Sequence, residues 1–227
     1  MKARTGWLLC LLGLPLTVIA QDTNPTLLGA GIRSRPDYDG ARKQTTDLIP
    51  VVRWYRGPLF ARTTQGIAEA GARVDLARSL QAGVQLAYEA ERWSGASVGA
   101  HLEWDTSVGP APLNLLGRWR QHVDGDHGAQ TDLRGTLGVY KSGPAAAGLF
   151  AQATWATRKA MLEAYGVDDG GLLFTSVGAL GSYDLSRRWI LLGSVEARRM
   201  SGDAARSPAV ERRTNGYASA GLAFRFE

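Results

Sequence analysis

The chain has 227 residues, with 26 basic and 21 acidic side chains, 28 glycines and one cysteine. That length suits one domain, one cysteine excludes a disulfide framework, and no apolar run reaches the roughly 20 residues a membrane-spanning helix needs. The excess of base is small, and smaller still once Lys2 and Arg4 are removed with a leader, so no nucleic-acid partner follows from it.

Residues 1–20 read as a signal peptide. Lys2 and Arg4 supply a basic start, Trp7 to Ile19 an apolar stretch, and Val18, Ile19 and Ala20 a small-residue cleavage site, with Gln21 opening the mature segment 21–227. Pro15 and the shortness of the run argue against a spanning helix. Cys10 lies inside the leader, so the exported domain has to hold itself by hydrogen bonding and burial alone.

From Leu27 onward twelve strands are predicted, at about 27–34, 47–56, 58–65, 67–76, 80–90, 97–106, 112–122, 129–140, 145–157, 172–183, 187–199 and 216–226, with ten as the alternative count if 58–65 and 67–76 form one feature. Most are near the ten residues that a tilted strand needs to cross a bilayer. Alternation is clean in mid-chain. Ala68, Ala70, Ala72, Val74 and Leu76 oppose Glu69, Gly71, Arg73 and Asp75. Likewise Val98, Ala100, Leu102 and Trp104 oppose Gly99, His101, Glu103 and Asp105. In the last strand Ala218, Ala220, Leu222, Phe224 and Phe226 oppose Tyr217, Ser219, Gly221, Ala223 and Arg225.

A soluble sandwich would alternate in the same way, but connection length discriminates. Gly57–Pro58, Ala77–Ser79, Ser107–Pro110, Lys141–Pro144 and Asp184–Ser186 are tight, whereas Arg35–Thr46, Ala90–Ala96, Val123–Gly128, Arg158–Gly171 and Met200–Asn215 are long, with Gln65–Gly66 the short exception. Short turns at one rim and long loops at the other, with an even strand count, predict an all-β, closed antiparallel transmembrane barrel with periplasmic turns and extracellular loops. Tyr88, Trp104, Trp119, Trp155 and Trp189 fall near strand ends on the apolar parity, where interfacial girdles sit. Closure also removes open sheet edges.

The polar parity places Arg53, Arg62, Arg73, Arg118, Arg120, Arg134, Arg198 and Arg225 in the lumen, together with Glu69, Asp75, Glu103, Asp105, Asp132 and Glu196. A selective open pore favours one sign of charge, so this mixture predicts ion pairs filling a narrow barrel, with a narrow passive diffusion channel as the alternative. The run from His122 to His127 reads as a turn around Asp124-Gly125-Asp126 before it reads as a metal site. His101 with Glu103 and Asp105 has no nucleophile placed beside it and no GxSxG is present, so no catalytic, cofactor or metal residue is assigned.

With these residues laid out, the chain resembles the MipA/OmpV family of outer-membrane barrels. The resemblance is carried by LGAGI at Leu28–Ile32, PDYDG at Pro36–Gly40, DLIPVVRWY at Asp47–Tyr55, the stretch from Trp155 to Val167, Gly178 through Trp189, GDAARSP at Gly202–Pro208, and the closing Phe224-Arg225-Phe226. It implies a non-enzymatic scaffold in the outer membrane of a Gram-negative bacterium that links a murein lytic transglycosylase to a penicillin-binding murein synthase, with outer-membrane lipid around it. The alternatives are the narrow channel and an adhesin using the loops 158–171 and 200–215. Turns as small as these fall short of the roughly 800 Å² per partner of a stable complex, so lateral contacts are expected to contribute.

Overall fold

The computed structural model describes residues 25–89 and 95–226. The predicted leader, most of the loop Ala90–Ala96 and Glu227 lie outside the described residues. Twelve antiparallel strands form the wall: β1 Thr26–Pro36, β2 Gln44–Arg56, β3 Leu59–Thr64, β4 Ile67–Ala77, β5 Leu80–Glu89, β6 Gly95–Val108, β7 Ala111–His122, β8 Ala129–Ser142, β9 Ala145–Ala156, β10 Gly171–Asp184, β11 Trp189–Met200 and β12 Thr214–Phe226. Each pairs with its neighbours in sequence, and β1 closes on β12 from Thr26↔Phe226 to Ser34↔Ala218. Closure settles the count at twelve and excludes the sandwich.

The twofold period of a strand puts alternate side chains on opposite faces. Here the apolar set faces out: Val84, Leu86, Leu102, Val177 and Val195 are all exposed, while Glu69, Gln85, His101, Arg118 and Asp132 on the other parity are buried. Such an inversion is stable only if lipid covers the outside. The aromatics mark its edges. Trp104, Trp189 and Phe226 face outward at the short-turn rim, and Tyr88, Trp119 and Trp155 at the long-loop rim. Trp189, Phe224 and Phe226 stack edge to face at 5.3 and 4.9 Å.

Three of the short turns repeat a Gly-Pro pair: Gly57-Pro58, Gly109-Pro110 and Gly143-Pro144. In each the glycine has positive φ, as required of the first central residue of the two-residue hairpins that match strand twist. The β3–β4 hairpin is different. It turns at Gln65 and Gly66, both with positive φ, and β3 has six residues where β2 has thirteen. β2 therefore pairs with β3 only from Arg53 to Arg56, and its stretch from Gln44 to Val52 has no ladder on that side. Pro50, which cannot donate to a ladder, sits in that stretch. The hairpin tip leans into the barrel: Gln65 reaches Glu196 on β11 at 3.2 Å, and a Cβ at Gly66 would lie 2.3 Å from Arg33.

The segment 158–171, expected as loop, contains a helix, α1 Arg158–Tyr165. Thr157 caps its start, accepting from the Ala160 N–H, and Gly166 ends it in the left-handed conformation.

Candidate functional site

The interior is crossed by two ion-pair networks. The first joins six strands. Arg62 on β3 donates to Glu69 on β4 at 2.8 Å and to Glu103 on β6 at 2.9 Å. Glu69 also takes Arg118 on β7, which donates to Asp132 on β8 at 2.7 and 2.9 Å. Asp132 accepts further from Arg120 at 3.3 Å and from the Thr154 hydroxyl at 2.8 Å, and Arg120 continues to Glu89 on β5 at 2.8 Å. Glu69, Glu103 and Asp132 each accept from donors on two different strands, and Glu89 from Arg120, so the charges compensate where water is excluded.

The second network hangs on the β1–β2 loop. Both carboxylate oxygens of Asp39 accept from Arg198 at 2.9 Å, and Tyr217 donates to the same carboxylate. Arg198 also reaches Glu196 at 3.2 Å and lies between the faces of Phe174 and Tyr217, 4.2 Å from each ring centre. Where the two networks meet they leave a hollow of 20 Å³, room for about one water molecule.

Above this the outer mouth is roofed. Met161, Tyr165, Leu173, Phe174, Met200 and Ala204 form a buried apolar cluster between α1, the strand ends and the β11–β12 loop. The β1–β2 loop is tied beneath it. Tyr165 donates to the Asp39 carbonyl at 3.2 Å, Tyr38 to the Ala209 carbonyl at 3.0 Å, and Asn215 to the Ala41 carbonyl at 2.7 Å. On the exposed rim Arg158 grips Asp168 with two bonds of 2.7 Å, which holds the Asp168 carboxyl below its ordinary range. A carboxylate whose pKa is depressed in the folded state contributes stability above its unfolded pKa and loses it as pH falls through the folded one. Both partners are solvated, so the contribution is small. Amide exchange in α1, corrected for intrinsic rate, is expected to quicken below about pH 4, while exchange in β7 and β8 stays unchanged.

Each residue assigned from sequence now has a location. Glu69, Arg118, Arg120, Asp132, Arg134, Glu196 and Arg198 are buried inside the wall, and Arg53, Arg73 and Glu103 are half-buried nearer the short-turn rim. Arg73 lies over the Tyr55 ring at 4.1 Å, and Arg225 pairs with Asp184 at 2.6 Å. Asp75 and Asp105 are exposed at that rim, accepting from Gln81 at 2.7 Å and Asn114 at 2.9 Å. His101 meets Gln85 at 2.5 Å and the edge of Phe60, and His127 bonds Asp124 at 2.7 Å within its turn. Sequence reasoning missed Asp39, which belongs to a loop, and the inward rings Phe150 and Phe174. Phe150 shares a parity with Gln152 and Thr154, which was the signal available.

A family model described as MltA-interacting protein MipA matches residues 28–226. The chain belongs to this family. Its fold is also that of solved outer-membrane proteins. The NanC porin is 12% identical, with a TM-score of 0.54 over 88% of this chain and 100% of the porin. The COG4313 outer membrane channel from Pseudomonas putida F1 is 12% identical, with a TM-score of 0.54 over 89% of this chain and 96% of the channel. No curated protein sequence matches the chain. A MipA-family barrel with an apolar exterior and this fold belongs in the outer membrane of a Gram-negative bacterium.

Proposed function

We propose that this MipA-family barrel is an interaction scaffold with a closed lumen, not an open pore and not an enzyme. The observation that carries the reading is the pair of buried networks meeting beneath a roofed outer mouth, with a hollow of only 20 Å³ between them. The family description names MltA as the interacting protein, and the partners that the family resemblance implies are a murein lytic transglycosylase and, with it, a penicillin-binding synthase. Docking would use the short-turn rim, where Arg56, Arg78, Lys141, Arg187 and Arg188 are all exposed and attract acidic protein surfaces. Because those turns are small, the lipid-facing wall beside them would supply the remaining area.

Pull-down of a purified lytic transglycosylase by the detergent-solubilised barrel tests this. Capture is expected to survive replacement of the β11–β12 loop by a short linker. It should drop at least tenfold in Lys141→Glu/Arg187→Glu/Arg188→Glu and weaken as salt rises. Capture that depends on the long loops and ignores the turn charges would favour a surface adhesin instead. The second reading, a narrow passive channel, is favoured by a 410 Å³ hollow below the networks. Discrete conductance steps in a planar bilayer would establish it, whereas the scaffold reading expects silence.

A further inference from the structure

Below the ion-pair networks the interior holds a 410 Å³ hollow that adjoins one of 280 Å³, the two sharing Thr63, Thr64, Arg134 and Leu180. Its polar lining is unbalanced. Arg53, Arg62 and Arg134 face it, with Glu103 as the acid, and Glu103 already accepts from Arg62 at 2.9 Å and from Asn114 at 2.8 Å.

Arg134 is the centre of the imbalance. It is 8% exposed and its guanidinium lies over the Phe150 ring at 4.0 Å, with no carboxylate or hydrogen-bond acceptor bonded to it among the described residues. Its interior neighbours are satisfied differently: Arg62, Arg118, Arg120 and Arg198 each meet two carboxylates. Glu196, which faces Arg134, is taken by Arg198 and Gln65. On two residues of the same lining, Arg62 Nη2 and Thr63 Oγ1 are buried with no hydrogen-bond partner among the described residues. Among the described residues the one hydrogen bond of Arg53 is to a backbone carbonyl, that of Pro25, at 3.4 Å.

A buried cation without a counter-charge is costly, and a guanidinium presents a planar fork of donors matched to an oxyanion. We infer that this hollow is a binding site for a small oxyanion, a phosphate or carboxylate group, held by Arg134 with Arg53, Arg62 and Thr63. The roof closes the outer mouth, whereas Tyr55 and Asn114 on the lining lie close in sequence to the β2–β3 and β6–β7 turns, so the ligand enters from the periplasmic side. The group belongs either to a free periplasmic solute or to the headgroup of an inner-leaflet phospholipid. The inference does not depend on the scaffold reading, since a protein that captures no murein enzyme could still bind the anion.

The test is calorimetric titration of the full mature chain, refolded in an uncharged detergent, with inorganic phosphate and separately with a short-chain phosphatidylglycerol, each against chloride of equal ionic strength. Saturable binding of phosphate assigns a free solute, and binding of the phosphatidylglycerol alone assigns a lipid headgroup. Arg134→Met is expected to weaken either at least tenfold. Arg53→Gln, nearer the rim, should weaken it severalfold and serves if Arg134→Met does not fold, as judged by heat-modifiable gel mobility. Neither anion binding above chloride, or binding unchanged in a folded variant, would overturn the site.

Discussion

Asp132→Ala is expected to destabilise the barrel by about 3–5 kcal/mol, the range for breaking a buried ion pair from one side. The carboxylate is 2% exposed and accepts from Arg118, Arg120 and Thr154 together, so its removal leaves two guanidiniums short of charge inside the wall. Replacing Arg118 as well changes the arithmetic. In Arg118→Leu/Asp132→Ala the remaining pairs are Arg62 with Glu69 and with Glu103, and Arg120 with Glu89, all left intact. The double variant should therefore lose less than the sum of the single losses, with a coupling energy of about 1–3 kcal/mol. Urea unfolding in vesicles, followed by tryptophan fluorescence, measures all three. A loss under about 1 kcal/mol for Asp132→Ala would mean that water reaches these groups and that the lumen is open at their level.

Much of this network was legible because strand alternation needs no tertiary knowledge. Once Glu69, Arg118, Arg120 and Asp132 share the polar parity of their strands, closure alone brings them together. Which acid meets which base was not legible, since pairing across the lumen depends on barrel diameter and on register between strands far apart in sequence. The short Gln65-Gly66 connection was visible as an exception, but the inward lean of the β3–β4 hairpin follows from contacts with Arg33 and Glu196 that no local pattern encodes. Asp39 was missed for a related reason: a carboxylate in a loop carries no periodicity. The helix α1 was more accessible than its reading as loop allowed, because Thr157 and Gly166 are a start and a stop signal nine residues apart.

Val177→Arg tests the solvent on the other side of the wall. Val177 is 62% exposed, near the middle of β10, and is paired with Ala151 near the middle of β9 and with Ala197 on β11. If water bathed this face, arginine would be nearly neutral there, within about 0.5 kcal/mol. In lipid it should cost about 2–4 kcal/mol, because a guanidinium at the bilayer midplane loses its hydration, and the cost should fall toward zero near the interface. Leu185→Arg supplies the comparison: Leu185 is similarly exposed but lies in the β10–β11 turn, beside Arg187 and Arg188 and just before Trp189 of the aromatic girdle. The same substitution at the two positions should thus differ by about 2–3 kcal/mol in vesicles and by much less in a water-filled setting. Equal, small costs at both positions would remove lipid as the medium that the outward valines and leucines meet, and with it the reason an apolar exterior can surround a charged interior.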